Sequence, residues 1–183
     1  MRIERARALR AAEQVRDLLG DTIARIAIAG SVRRGEQEVS DLELVVTPAT
    51  ERVVGLFEDE TADRLDARIA ELAQGGRIVL AKNGSRAKRF LIDGVPVDLY
   101  IVRPPAEWGV IMFIRTGPAG FAKYVVTQSK RRRRIAFAGG RLVGPDGATI
   151  GTPEEKDVFE AIGLAYLEPA KRTLDRLRWR IGS

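Results

Sequence analysis

Between Asp41 and Thr47 the apolar and charged residues alternate. Leu42, Leu44 and Val46 fall on one strand face, and Asp41, Glu43 and Val45 share the other, because strand side chains alternate with a period of two. Such a strand needs one face against a core while it holds two carboxylates on the opposite face. Both carboxylates therefore point the same way. Upstream, Ile26 and Ile28 alternate with small residues up to Gly30, a short strand running into a glycine turn. Downstream, residues 77–81, 88–92 and 95–102 read as strands. Lys82-Asn83-Gly84 separates the first pair, and Asp93-Gly94, a tight-hairpin dipeptide, separates the second. In the last strand Pro96, Asp98 and Tyr100 lie opposite Val97, Leu99 and Ile101, which adds a third strand carboxylate.

Helical spacing recurs elsewhere. Leu9, Ala12, Val15 and Leu18-Leu19 predict an amphipathic helix that stops at Gly20. Residues 50–73, with Val53, Phe57, Leu65, Ile69 and Leu72 among charges, read as a helical connection ending at Gly75-Gly76, with a break around Glu58 to Thr61. Pro104-Pro105 marks a boundary, since consecutive prolines continue neither a strand nor a helix, and it divides the chain into residues 1–106 and 107–183. Beyond it, Trp108 to Ile114 and Phe121 to Lys130 predict helices around Thr116-Gly117-Pro118. A small β region follows, with turns at Gly139-Gly140 and Pro145-Asp146-Gly147. Thr152-Pro153-Glu154-Glu155 reads as a capping box opening a helix that stops at Gly163. Trp108 and Trp179 sit among apolar positions and read as core. No internal repeat is found. The elements read as α+β, strands and helices in the first part and helices with a small β region in the second.

Composition narrows the chemistry. The 183 residues contain no cysteine and no histidine, which removes disulfides, Cys/His zinc sites, Ser-His nucleophile pairs and an imidazole base. Carboxylates, lysines, hydroxyls and bound metal are what is left. A net charge of +6 favours an anionic partner, although such a charge also serves solubility. No apolar stretch approaches the ~18 residues of a membrane span, and the basic start lacks the apolar run of a signal peptide. The expectation is a soluble, cytoplasmic monomer without a membrane partner.

Gly30-Ser31 is followed by residues 32–40 and then by Asp41-Leu42-Glu43, with Asp98 further on. Each piece alone is common in turns and solvated strands. Together they make a chemical unit. A glycine turn leading into a short helix offers backbone N–H groups and a serine hydroxyl to phosphate oxygens, and Arg33 or Arg34 adds a charged donor. Two carboxylates on one strand face, joined by a third from a neighbouring strand, offer the oxygen-only ligands that suit a pair of Mg²⁺ ions.

Gly30-Ser31-Val32-Arg33-Arg34-Gly35 followed by Asp41-Leu42-Glu43 resembles the signature of the nucleotidyltransferase superfamily, and specifically of family X DNA polymerases of the polymerase beta type. Val97-Asp98-Leu99 resembles the family's third catalytic strand, Trp108-Gly109-Val110 to Thr116-Gly117 its palm-to-thumb transition, and Thr152 to Pro169 its C-terminal thumb segment. The resemblance implies an α+β fold, with a palm over residues 1–106 built as a mixed sheet with flanking helices and a small α/β thumb over 107–183. It also implies a DNA nucleotidyltransferase that extends a 3′-end in a gapped or primed duplex, using a nucleoside triphosphate and two Mg²⁺ ions, with Mn²⁺ as the alternative metal. Asp41, Glu43 and Asp98 would be the catalytic metal ligands, and Asp98 would also accept the proton of the primer hydroxyl. Gly30, Ser31 and Arg34 would bind the triphosphate, and Thr116-Gly117 would lie beside the nucleotide sugar.

Several positions depart from the family pattern. Glu43 stands where these polymerases usually have Asp, Ile114-Arg115 replaces an aromatic pair, and Ala122 and Val126 replace an Asn and an Arg that contact bases. The family's N-terminal lyase and helix-hairpin-helix segments have no counterpart before Gly30, so 5′-sugar phosphate processing is expected to be absent. Lys82, Arg86 and Lys88 flank a loop that would face the palm cleft, and Lys130, Arg131 and Arg132 end a thumb helix. Both sets are candidate DNA contacts, with solvated charge as the alternative reading. A template-independent terminal transferase, a transferase acting on a protein or small molecule, and a non-catalytic DNA-binding protein are the competing functions.

Overall fold

The computed structural model describes residues 2–53 and 60–180. In chain order its first elements are β1 (Ile3–Glu4), α1 (Arg5–Leu19), β2 (Ile23–Ile28), α2 (Gly30–Arg33), β3 (Glu38–Val39), β4 (Leu42–Pro48), β5 (Thr50–Val53) and β6 (Glu60–Asp63). Next come α3 (Leu65–Gln74), β7 (Val79–Asn83), β8 (Ala87–Ile92), β9 (Val95–Ile101), α4 (Trp108–Thr116) and α5 (Ala119–Arg133). The last are β10 (Ala136–Ala138), β11 (Arg141–Val143), β12 (Thr149–Ile150) and α6 (Glu155–Ala161). The chain forms two compact units, one of residues 1–28 with 37–101 and the other of residues 29–36 with 102–183.

The first unit is a five-stranded mixed sheet in the order β2-β4-β9-β8-β7. Only β4 and β9 run parallel, which their long connection through α3, β7 and β8 permits. Helices α1 and α3 pack against each other, and α1 also contacts β2, β4 and β9. The apolar face anticipated from the 41–47 alternation is buried: Leu42, Leu44 and Val46 are closed off, as are Val97 and Leu99 on β9 and Phe90 and Ile92 on β8. On α1 the buried stripe is Ala8, Ala11, Ala12, Val15 and Leu19, and small alanines let the helix lie close to the sheet. Asp93-Gly94 makes the two-residue hairpin between β8 and β9, with positive φ at both residues (47° and 73°), the conformation that Asp-Gly accommodates.

Among the described residues, the expected helix over residues 50–73 forms only over Leu65–Gln74. Thr50–Val53 pairs antiparallel with Glu60–Asp63, and the helix begins at Leu65. Thr50, Val53 and Thr61 are β-branched, which favours extended backbone over a helix of the same apolar spacing. Phe57, assigned to that helix from spacing, lies outside the described residues.

The second unit packs α4, α5 and α6 with the three-stranded sheet β10-β11-β12 around Phe113, Phe121, Val125, Leu142, Phe159 and Leu164. Phe113 meets Phe159 edge-on at 5.2 Å. Gly109 in α4 runs against the backbone of the 152–154 segment, donates its N–H to the Thr152 carbonyl at 2.9 Å, and has no room for a Cβ. The capping box of α6 sits two residues later than the sequence implies: Asp157 takes the Glu154 N–H at 2.7 Å. Thr152 is engaged elsewhere, donating both its N–H and its hydroxyl to Glu107. Among the described residues no helix is long and apolar enough to cross a membrane.

Candidate active site

In the first unit, strand register decides which charges meet. Glu43 on β4 and Asp98 on β9 are direct partners in the parallel ladder, so both project from the face opposite the α1 core. Asp41 lies two residues before Glu43 and shares that face. Arg89 on β8 is the antiparallel partner of Asp98, and Lys82 on β7 is the partner of Arg89. A single row across the four strands therefore reads Lys82, Arg89, Asp98, Glu43. Nε and Nη2 of Arg89 donate to Oδ1 and Oδ2 of Asp98, each at 2.5 Å, and Nη2 lies 3.7 Å from Asp41 Oδ2. The Asp98 side chain is 15% exposed and that of Arg89 52%, so the carboxylate sits near the sheet while the guanidinium reaches in from solvent. Hydrogen bonding to Asp98 and the charges of Asp98 and Asp41 raise the Arg89 pKa above its already high value, which keeps the guanidinium charged at any working pH.

The three carboxylates fit a hard divalent cation in kind, being oxygen donors placed on one sheet face. Among the described residues no three of them converge on one point, and Asp98 gives both oxygens to Arg89. Arg89, unlike Arg86 and Lys88, is not among the basic residues that the sequence picks out.

Lys82 and Arg86 are exposed. Lys88 is not: its side chain is 3% exposed, its ammonium lies 2.7 Å from Asp66 Oδ1, and it also bonds Asn83. It shares the inward face of β8 with Phe90 and Ile92. Its charge is neutralised within the fold, which corrects the reading of Lys88 as a DNA contact.

The Gly30-Ser31 segment belongs to the second unit. Gly30 takes φ = 60° at the start of α2, a left-handed conformation that favours glycine there, and Ser31 is half-buried. Both following arginines are anchored on Thr116: Arg33 Nη1 donates to its hydroxyl at 2.5 Å and Arg34 Nη1 to its carbonyl at 2.6 Å. Arg34 also pairs with Glu36 at 2.5 Å. Arg33 continues to Glu155 at 2.7 Å, and Glu155 to Arg172 at 2.7 Å, a buried ionic chain that sequence spacing does not show. Arg172 in turn lies 5.1 Å over the ring of Phe159. Gly117 follows Thr116 with φ = 60°, and a Cβ there would come within 3.4 Å of Arg34 Nη1. The sequence-selected residues Gly30, Ser31, Arg34, Thr116 and Gly117 thus lie in one unit, with Arg34 bonded directly to Thr116.

The basic end of α5 is partly committed. Arg132 stacks 5.2 Å over Trp179, and Arg133 donates to the Arg180 carbonyl at 2.9 Å. Lys130 and Arg131 are exposed. Ala122, at a base-contacting position of the family resemblance, is 6% exposed within the second unit's core.

No protein-family model matches this chain. It is similar to DNA polymerase lambda of Rattus norvegicus, with 26% identity over 163 residues, covering 78% of this chain and 28% of that protein. The chain therefore spans well under half the length of this curated relative.

Proposed function

We propose that this chain is a metal-dependent DNA nucleotidyltransferase of the family X type, which adds a nucleotide to a DNA 3′-end and releases pyrophosphate during templated gap-filling or repair synthesis. The observation that carries the reading is the pairing of Glu43 with Asp98 on one sheet face, with Asp41 beside them. The distant similarity to a DNA polymerase supports the same class. In this reading residues 1–106 serve as the palm and residues 107–183 as the thumb.

Asp41, Glu43 and Asp98 would hold the divalent ions, Mg²⁺ in the first instance. Bound there, such ions lower the pKa of an attacking hydroxyl and neutralise charge on the triphosphate. Asp98 takes the proton of the primer 3′-hydroxyl as its oxygen forms a bond to the α-phosphorus. The bond from that phosphorus to the bridging oxygen breaks, and the electron pair leaves with pyrophosphate. Ser31 donates its hydroxyl, and the start of α2 its N–H groups, to phosphate oxygens of the incoming nucleotide. Arg34 adds a charged donor, held in place by the Thr116 carbonyl. Thr116 and Gly117 pack beside the sugar. Lys82, Arg86, Lys130, Arg131 and the exposed edge of Arg132 contribute phosphate neutralisation. These groups act through positioning and electrostatics.

Extension of a 5′-labelled primer tests this, alone, on a template and in a one-nucleotide gap, with Mg²⁺ or Mn²⁺ and beside Asp98→Asn. Templated addition that the variant loses supports the reading. Addition to the lone primer regardless of template replaces it with a terminal transferase, and no addition under any condition removes the DNA 3′-end as acceptor.

A further inference from the structure

Arg89 holds Asp98 through both carboxylate oxygens, the same oxygens that the metal-dependent reading requires as ligands. The contact is built into the backbone. A two-residue Asp93-Gly94 turn sets Ile92 opposite Val95, and the ladder then brings Arg89 opposite Asp98 and Asp98 beside Glu43. The guanidinium also approaches Asp41, so one cation bridges two of the three carboxylates. A planar fork meeting both oxygens is the strongest geometry an arginine offers a carboxylate, and here the carboxylate is largely sheltered from water. A divalent cation and the guanidinium cannot share those lone pairs, and their like charges repel at that distance.

We propose that Arg89 is a positioning residue that competes with the divalent cation for Asp98, so that metal binding proceeds by displacing its guanidinium. The inference rests on the metal-dependent reading above. The half-exposed Arg89 side chain has a route out, because it reaches the carboxylates from solvent. Its competition keeps the carboxylate row neutralised at low metal concentration and raises the concentration at which the ion enters. Since coupling between two ligands of one group is reciprocal, whatever the guanidinium takes from metal affinity the metal takes from the Arg89–Asp98 pair.

The test is direct metal binding to the full chain without DNA or nucleotide. Mn²⁺ is titrated into wild type, Arg89→Gln and Arg89→Lys, with free Mn²⁺ read by electron paramagnetic resonance and each protein's melting followed in EDTA. Arg89→Gln is expected to bind Mn²⁺ about tenfold more tightly than wild type, within the ~5- to 150-fold range of such couplings. Arg89→Lys, which keeps the charge but loses the fork, falls between them and carries the test if the Gln variant is not folded. Adding Asp98→Asn to Arg89→Gln is expected to abolish the gain. Equal or weaker binding in both Arg89 variants overturns the competition and leaves the metal reading intact. Absence of Mn²⁺ binding in every protein overturns the metal reading as well.

Discussion

Arg172 and Glu155 form an ion pair inside the second unit, Nη1 to Oε1 at 2.7 Å, with side chains 0% and 7% exposed. Arg33 meets the other oxygen of the same carboxylate at 2.7 Å, so one buried anion holds two cations. Removing the anion strands Arg172 among Phe113 and Phe159 without a counter-charge. Breaking a buried pair by deleting one partner costs ~3–5 kcal/mol, and Glu155→Ala is expected to fall in that range. Arg33→Met costs less, because the Arg33 side chain is 25% exposed and its loss leaves the Arg172 pair in place. Urea unfolding of both variants checks the order.

Gly109 carries a steric prediction. A Cβ there would sit 2.3 Å from the Glu154 carbonyl oxygen and 2.5 Å from that of Thr152, both backbone atoms that cannot rotate aside. Helix α4 would have to lift from the segment leading into α6, breaking the Gly109 N–H bond to Thr152. Gly109→Ala should therefore destabilise the second unit by more than the ~1–3 kcal/mol of ordinary overpacking. By contrast, Gly120→Ala places its Cβ in open space and should leave thermal melting nearly unchanged.

How much of this was legible in the sequence depends on whether local pattern or tertiary contact decides. The alternation at 41–47 and 95–101 predicts which faces of β4 and β9 are buried, and Asp93-Gly94 places the hairpin. The same turn contains the information that Arg89 opposes Asp98, since a two-residue loop fixes register, but a count of charges around the loop passes over it. Alternation likewise puts Lys88 on the face of Phe90 and Ile92, and treating Lys82 to Lys88 as one basic loop hides that. The pairing of residues 50–53 with 60–63 is hidden in the sequence because apolar spacing there suits a helix as well. No local signal links residues 33, 155 and 172. Thr152 looks like a helix cap by motif, and only the fold shows that Glu107 claims it.

Tyr166 supplies a pH dependence. Packing against Phe159, whose ring it meets edge-on at 5.1 Å, partly desolvates the phenol and raises its pKa, followed by the negative charge of Glu155, while 42% of the residue stays exposed. A raised folded-state pKa means that the neutral phenol is preferred in the fold. Its contribution to stability is complete below the ordinary tyrosine range, declines as pH rises through that range, and is gone above the folded value. Absorbance at 295 nm should show one of the three tyrosines titrating late in the folded protein, a component missing from Tyr166→Phe. In that variant the alkaline fall in melting temperature should be shallower. A titration identical in both proteins would remove Tyr166 as its source.

The basic residues divide by the same physics. DNA binding that neutralises phosphates weakens with salt, with a log–log slope of about 0.9 per contact on duplex DNA. If Lys130 and Arg131 at the exposed end of α5 each neutralise a phosphate, their joint replacement by alanine lowers the slope by about two, with little change in melting. Lys88 should behave in the opposite way. Its ammonium is spent on Asp66 and Asn83 inside the first unit, so no counterion is released from DNA on its behalf. Lys88→Met exchanges a buried charge for an apolar chain of similar length, which fits the inward face it shares with Phe90 and Ile92. Its salt slope on a gapped duplex, measured by fluorescence anisotropy over a KCl series, should equal that of wild type. A slope reduced by about one in Lys88→Met would instead place that ammonium on the nucleic acid and contradict its burial.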